Sequence, residues 1–208
     1  MTPRRIALFT LAAAAAVLIA FALVKGARLL TDPAPPPGGA LIATAGADIG
    51  GPFSLVDTSG KRVTDADFRG RYALIYFGYT FCPDVCPTEL QAIGRAVDLL
   101  GPAGEKIVPV FITVDPARDT PRALADYVKA FHPRMVGLSG AAGEIAAVAK
   151  AYRVYYRLGP ASKPGATDYL VDHTSFIYLL GPDGKLAALL RGGVGPDAIA
   201  QGLRSVLR

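Results

Sequence analysis

Both cysteines of this 208-residue chain lie in one short segment, CPDVCP, with three residues between them and a proline after each. Two thiols this close can form a structural disulfide, a redox-active dithiol or two ligands of a metal ion. Stabilisation by a disulfide grows with the length of the loop that it closes. A bridge between Cys82 and Cys86 would close a loop of only a few residues and would add little stability. The spacing therefore favours a reversible dithiol or a metal site over a structural bridge.

The two prolines indicate where the thiols stand relative to the next helix. A residue before proline is pushed out of the α region, so neither Cys82 nor Cys86 is predicted to lie inside a regular helix. Pro87 suits the first position of a helix, and Glu89 is favourable in its first turn. The free backbone N–H groups and the dipole at that helix N-terminus favour thiolates, which are both nucleophiles and metal ligands.

A histidine is predicted to face the two sulfurs. Thioredoxin-type oxidoreductases typically use Cys-x-x-Cys and have a cis-proline opposite the thiols, just before the third central strand. Here that position is His173 in VDHTS, and the third residue between the cysteines leaves more room for an ion. Two thiolates and an imidazole suit Cu(I) or Cu(II), whereas structural zinc would need a fourth ligand such as water or an aspartate. The nearest candidate carboxylates, Asp115 and Asp172, are predicted to serve a strand-end turn and a loop instead.

The elements that must position these residues alternate between strands and helices. Hydrophobic and turn residues predict a hairpin at 52–64 around Ser59-Gly60, a buried strand at 71–79, a helix at 87–100, a buried strand at 107–114 and helices at 120–131 and 142–152. A long irregular loop at 153–172, with room for one short strand, a hairpin at 174–190 and a helix at 196–207 follow. Pro109 predicts that its strand lies at a sheet edge or begins after the proline. This order is typical of an α/β thioredoxin-like fold, a central mixed sheet flanked by helices, here with an N-terminal hairpin.

The N-terminal segment predicts export of the folded domain. An uncharged run of 19 residues, 6–24, apolar except for Thr10, follows Arg4 and Arg5 and is long enough to cross a bilayer. We therefore expect, in chain order, a cytoplasmic stub at 1–5, a single transmembrane anchor at 6–24, a Pro/Gly-rich linker at 25–42 and the folded domain at 43–208 on the periplasmic, extracytoplasmic side. A cleaved signal peptide with its cut near Ala22 is the alternative, and it would export the domain as well.

The charge distribution gives no reason to expect a nucleic-acid partner. Of the formal net charge of +5, residues 1–40 contribute +3, from four basic side chains and one acidic side chain. The remaining residues carry 18 basic and 16 acidic side chains, a net of +2, so the body of the chain is nearly balanced.

The other residues that could do chemistry have simpler explanations. His132 is predicted to be a surface residue at a helix end, and Met135 is predicted to pack in the core rather than to bind a metal. The glycine-rich segment 192–195 lacks the strand-loop-helix context of a phosphate-binding loop and is predicted to be a turn. Three tyrosines before the long loop are predicted to pack against the sheet: Tyr152, Tyr155 and Tyr156.

Four segments of the chain resemble the Sco/SenC copper-binding proteins that serve cytochrome c oxidase assembly: IYFGYTFCPDVCPTEL, FITVDPARDTPRALADYV, AYRVYY and DYLVDHTSFIYLLGPDGK. Together they cover the body of the chain from about residue 50 to the C-terminus. The resemblance implies a membrane-anchored, thioredoxin-like domain that binds one copper ion, as Cu(I) or Cu(II). Carried over by position, the ligands are Cys82, Cys86 and His173. The implied recipient is the CuA site of cytochrome c oxidase subunit II or another copper enzyme.

Two further roles stay open from the sequence. A thiol-disulfide oxidoreductase would use Cys82 and Cys86 as its redox pair and would reduce the cysteines of the recipient, with other copper carriers or thiol reductants as partners. A copper or redox sensor would change a partner contact with its metal state. The first role can coexist with metal binding, because copper requires the reduced thiols.

Overall fold

The computed structural model describes residues 39–44, 48–161, 163 and 165–207. The predicted stub and anchor, and the linker up to residue 38, lie outside these residues. No helix in the described part of the chain is long and apolar enough to cross a membrane.

Strands and helices alternate along the described residues. The strands are β1 (Leu41–Thr44), β2 (Ser54–Asp57), β3 (Arg62–Thr64), β4 (Tyr72–Gly78), β5 (Ile107–Thr113), β6 (Val136–Ser139), β7 (Tyr156–Leu158), β8 (Val171–His173), β9 (Phe176–Leu180) and β10 (Leu186–Arg191). The α-helices are α1 (Val85–Leu99), α2 (Pro121–Lys129), α3 (Ala142–Ala151) and α4 (Pro196–Arg204), and two 3₁₀ helices cover Asp65–Phe68 and Gly101–Lys106.

One mixed sheet organises the domain, with strand order β1-β10-β9-β4-β5-β6-β2-β3. β4 and β5 run parallel, β5 continues parallel to β6, and β9 lies antiparallel on the other side of β4. β7 and β8 form a separate antiparallel pair. The central mixed sheet flanked by helices confirms the predicted fold class.

The central strands are buried on both faces, as their sequences predict. Every side chain of β4 and β5 is buried, which explains why both read as continuous apolar runs without polar alternation. An aromatic cluster packs beside them: the ring centroids of Phe77, Tyr152 and Tyr178 lie 5.5 to 5.7 Å apart. Helix α1 buries an apolar stripe that includes Leu90, Ile93 and Val97.

The predicted hairpin turn is present, and helix α2 begins with a side-chain cap. β2 and β3 form the hairpin around Ser59-Gly60, in which the Asp57 carboxylate accepts the backbone N–H of Ser59 at 2.8 Å. Gly60 adopts a φ of +85°, which only glycine enters readily. Thr120 caps α2 by accepting the backbone N–H of Ala123.

Several strand predictions were wrong or incomplete. Pro109 lies inside β5, which is central in the sheet rather than at its edge. The proline is tolerated because β6 pairs with β5 only from Val110 onward, so no ladder bond is lost on that side at Pro109. β1 and β6 were not predicted; the four residues of β6 are too few to show a period and include a glycine. The loop predicted at 153–172 contains β7 and the start of β8.

Two side-chain predictions were wrong in their exposure. His132 is 5% exposed, not a surface residue, because the neighbouring helix α1 carries Gly94 at its closest approach and covers it. Tyr155 is 56% exposed and does not pack on the sheet, whereas Tyr152 is buried in the aromatic cluster as predicted. Met135 is buried, which confirms its core role.

Candidate metal centre

Three side chains from two distant parts of the chain meet above the end of β4. The donor atoms of Cys82, Cys86 and His173 all lie within 4.8 Å of one another. Cys86 Sγ is 3.3 Å from His173 Nε2, and the backbone N–H of Cys86 donates to Cys82 Sγ at 3.3 Å. Both cysteines are free thiols. The prediction that His173 points toward the sulfurs is confirmed.

Cys82 lies in the loop, but Cys86 lies in the first turn of α1, which begins at Val85. The prediction that neither cysteine is helical is therefore wrong for Cys86. The first amides of a helix have no intrahelical acceptor, so Pro87 at the third position costs the helix no hydrogen bond. The conformational preference of the residue before proline is overridden here by the packing of α1 against the sheet.

Burial decides the protonation of the inner thiol. Cys86 is fully buried, and this burial raises the pKa of its thiol far above the usual range, with a smaller contribution from neighbouring Cys82. The expected preference for a thiolate at the helix N-terminus is thus outweighed at Cys86. A metal ion that binds there must displace the thiol proton.

His173 is held in the form that a metal ligand requires. Its Nδ1 lies 3.1 Å from the carbonyl oxygen of Thr174, an arrangement in which Nδ1–H donates and Nε2 keeps its lone pair toward Cys86. Burial lowers the pKa of His173, so the ring is neutral near pH 7. The rings of Tyr76 and Tyr79 meet the imidazole edge-on at 6.2 and 5.9 Å and fix its plane.

The two candidate outer carboxylates have other partners. Asp115 is buried, pairs with Arg118 and accepts the hydroxyl of Tyr169 at 2.9 Å. Asp172 is exposed and pairs with Arg157 at 3.2 Å. The strand-end role predicted for Asp115 is thereby confirmed, whereas Asp172 lies in strand β8 rather than in a loop. Among the described residues the cluster offers two sulfurs and one nitrogen. Such a set fits a soft three-coordinate ion better than tetrahedral structural zinc.

The role of Glu89 was not predicted from the sequence. One turn along α1 from Cys86, this carboxyl is 2% exposed, and its Oε1 accepts the backbone N–H of Gly193. The next amide, that of Gly192, donates to the carbonyl oxygen of Ser175 at 2.9 Å. Glu89 therefore links the cysteine helix to the segment that follows His173. A glutamate in a first helical turn is ordinary, and no signal in the sequence marked this one as buried.

A second group that the sequence did not reveal is the guanidinium of Arg118. Its side chain is only 6% exposed, and its ring contacts include Phe81, the residue before Cys82. The DPARDT segment carries Arg118 among ordinary turn residues. The pattern of an arginine in a polar loop predicts exposure, so burial here had to come from the three-dimensional packing.

Comparison with known proteins decides the family. Residues 43–208 match the SCO1/SenC family over their whole length. The chain belongs to the SCO1/SenC family. Among curated SCO1/SenC relatives, "Protein SCO1 homolog, mitochondrial" of Homo sapiens is 51% identical over 139 residues, which are 66% of this chain and 46% of that protein. The chain spans about half the length of the first curated relatives it matches.

Solved SCO1/SenC structures agree with the fold. The crystal structure of Arabidopsis thaliana ScoI with copper bound is 42% identical and has a TM-score of 0.72, covering 77% of this chain and 98% of that one. Bradyrhizobium japonicum ScoI with copper bound is 43% identical with a TM-score of 0.69, covering 76% of this chain and 99% of that one. Both matches include nearly the whole of the solved domain.

Proposed function

We propose that the protein is a copper metallochaperone of cytochrome c oxidase assembly. It binds one copper ion through Cys82, Cys86 and His173 and delivers it to the CuA site of oxidase subunit II. The observation that carries the proposal is the meeting of two sulfurs and one imidazole nitrogen within 4.8 Å. Membership of a family with copper-bound structures supports the same metal.

The donor set suits transfer rather than permanent storage. Two thiolates and one imidazole satisfy Cu(I) and tolerate Cu(II), so the ion need not leave when its oxidation state changes. Cys82 is partly exposed while Cys86 is buried, so a partner thiol can approach the ion from the Cys82 side. Copper then moves by stepwise ligand exchange, in which each new bond forms as an old one breaks.

Titration of the reduced full chain with Cu(I) and Cu(II) tests the ligand set. The variant His173→Ala is expected to weaken binding and to change the thiolate-to-Cu(II) absorption. The chain has two histidines, so His132→Asn is the matched control, and it is expected to leave both properties unchanged. Binding and absorption that were the same in His173→Ala and in the wild type would remove His173 from the ligand set.

Delivery is tested with the recipient itself. Copper-loaded full chain is mixed with a reduced, metal-free CuA domain, the two proteins are separated, and the copper content of the CuA domain is measured. Transfer is expected with the wild type and not with Cys82→Ser loaded to the same level. In cells, deletion of the gene is expected to lower oxidase activity, and added copper is expected to restore it. Rescue by a reductant alone would point to thiol chemistry instead.

A thiol-disulfide oxidoreductase is the second candidate, and the asymmetry of the two thiols favours it. Cys82 is the partly exposed thiol, as an attacking thiol must be, and Cys86 is buried beside it, as a resolving thiol is. In this reaction the two thiols become one disulfide while the recipient disulfide gains two electrons and two protons. Failure of the reduced chain to reduce an oxidised subunit II peptide would exclude it.

We also propose that residues 6–24 anchor the protein in the membrane, with the copper-binding domain on the extracytoplasmic side. The apolar run and the two arginines before it support this topology. Fractionation of cells that express the full chain and a chain without residues 1–30 tests it. Recovery of both in the soluble fraction would contradict the anchor, and protease treatment of intact spheroplasts reports the side.

A further inference from the structure

Arg118 carries a buried positive charge between β5 and α2. Its side chain is 6% exposed, and its Nε donates to Asp115 Oδ2 at 2.5 Å. Its Nη1 donates to the carbonyl oxygens of Thr167 and Tyr169, both at 2.8 Å. Nη2 is buried as well and finds no hydrogen-bond partner among the described residues. A buried guanidinium is costly to desolvate, so this position has a structural or functional reason.

The guanidinium also lies among three aromatic rings. Its Cζ is 3.8 Å from the ring centroid of Tyr169, 4.8 Å from that of Phe81 and 5.6 Å from that of Tyr79. An arginine can stack on rings through its plane while its edge donates hydrogen bonds, which a lysine cannot do. Arg118 therefore contacts the segment at Phe81 by ring stacking, and the segment at 167–169 by both ring stacking and hydrogen bonds.

Those two segments carry or lead to the three proposed ligands. Phe81 directly precedes Cys82 in the segment 79–84 between β4 and α1, which we call the cysteine loop. Residues 165–170, which we call the strap, lead directly into β8, and β8 ends at His173. Through Phe81 on one side and Tyr169 on the other, Arg118 bridges the cysteine loop and the strap.

The attachment of β8 to the rest of the domain makes this bridge important. In the described residues β8 pairs with β7 alone, and neither strand joins the eight-stranded sheet. The sheet ladder therefore does not fix His173 directly. The strap is tied to the body through Arg118 and through the hydroxyl of Tyr169, which donates to the same Asp115 that pairs with the arginine.

We propose that Arg118 is a positioning residue that holds the β7–β8 pair, which ends at His173, against the cysteine loop. It thereby sets how readily the imidazole leaves and rejoins the copper ion during transfer. This inference rests on the proposed copper-binding function for its second half. The clasp itself, from the cysteine loop through Arg118 to the strap, is a property of the metal-free protein.

Arg118→Lys is the variant that tests the clasp. Lysine keeps the charge beside Asp115 but loses the planar stack and the fork of donors, so the fold is retained more readily than in a neutral variant. Arg157→Lys is the matched control, because Arg157 lies in β7 of the same strand pair but is exposed and pairs with Asp172. Urea unfolding of each variant verifies that the domain remains folded.

Amide hydrogen exchange of the metal-free full chain is the first measurement. We expect Arg118→Lys to speed exchange in the strap and in β8 about 10-fold, with no change in α3, and Arg157→Lys to leave the strap unchanged. Equal exchange in the strap of wild type and Arg118→Lys would overturn the clasp. This readout needs no copper, so it stands apart from the proposed function.

Copper affinity in a double-mutant cycle is the second measurement. Arg118→Lys is expected to weaken copper binding about 10-fold when His173 is present and to have no effect in the His173→Ala background. The same loss in both backgrounds would show a general structural role and would overturn the positioning role. If His173→Ala alone left affinity unchanged, the proposed ligand set would fail, and hydrogen exchange would still decide the clasp.

Discussion

Cys86 Sγ lies 3.3 Å from His173 Nε2, although 87 positions separate the two residues in the chain. The contact joins the first turn of α1 to the end of β8. Cys86 is protonated in the metal-free protein because burial raises its thiol pKa, and His173 is neutral because burial lowers its own. The thiol proton and the imidazole lone pair therefore face each other until a metal ion replaces the proton.

Copper loading is predicted to release the Cys86 proton. Because the pKa of this thiol lies far above neutrality, the proton is still bound at pH 6 to 9 and must leave when the sulfur becomes a ligand. Because one proton leaves at Cys86, the apparent affinity for copper is expected to rise about tenfold for each unit by which the pH rises. Proton release measured with a pH indicator during Cu(I) titration checks this, with Cys86→Ser expected to release one proton fewer. Equal release by both proteins would contradict it.

Gly78 at the end of β4 is predicted to be required for the site. A Cβ at this position would lie 2.9 Å from Cys86 Sγ and 2.9 Å from the Phe111 ring, so Gly78→Ala must displace one of them. We expect a loss of about 1–3 kcal/mol in the free energy of unfolding and a weaker copper affinity, by about 10-fold. Urea unfolding and copper competition measure the two effects.

The control for this substitution is Gly143→Ala, because a Cβ at Gly143 meets nothing within 4 Å. Gly143 lies in α3, where alanine is favoured over glycine by about 1 kcal/mol. The control is expected to be stabilised and to bind copper normally. A Gly78→Ala variant that behaved in the same way would show that the cysteine helix shifts at no cost.

The grouping of Cys82, Cys86 and His173 was predictable because it depends on strand order. A thiol pair after the first central strand and a residue before the third central strand meet in any thioredoxin-like sheet, whatever the side chains between them. The burial of His132 was not predictable. His132 is buried because α1 packs closely against its segment at Gly94, which has no Cβ. A Cβ at Gly94 would lie 2.6 Å from the Phe131 carbonyl oxygen. Contacts between elements of this kind leave no periodic signal in the sequence.

The burial of Arg118 and Glu89 was not predictable for the same reason, because it also depends on contacts between distant segments. Arg118 and Glu89 have residue types that are usually exposed, in a turn and in what the sequence predicted to be a first helical turn. Their burial follows from the strap and from the glycine segment 192–193 closing over them. Both segments reach Arg118 and Glu89 only through the fold, so local propensities could not reveal that these two side chains are buried.

Glu89 is predicted to make the domain less stable as the pH rises. Burial raises the pKa of this carboxyl above its ordinary value of 4.5, although the Gly193 amide lowers it in part. The folded state therefore binds the proton more tightly than the unfolded chain does. The stabilisation is fully present below pH 4.5 and is lost as the pH rises through the folded pKa.

Glu89→Gln removes this titration while keeping the shape and the acceptor for Gly193. The stability of the wild type relative to Glu89→Gln is expected to fall as the pH rises above 4.5, measured by urea unfolding from pH 4 to pH 8. Relative to Glu89→Gln, Glu89→Ala is expected to cost about 2 kcal/mol at every pH, because the buried amide of Gly193 loses its acceptor. A constant difference between wild type and Glu89→Gln would show that the carboxyl titrates normally.

His132 is predicted to act in the opposite direction on the pH scale. Burial lowers its pKa below 6.5, and Arg134 adds to the effect, while Asp98 at 3.5 Å opposes it. The unfolded chain binds the proton more tightly, so the contribution of His132 to stability is present above pH 6.5 and is lost as the pH falls below it. His132→Asn keeps an acceptor for the Arg134 amide and cannot titrate. Because His173 titrates in both proteins, the difference between wild type and variant isolates His132. That difference, measured by urea unfolding, should decline from pH 7 to pH 5, and a flat difference would mean that Asp98 holds the pKa at its ordinary value.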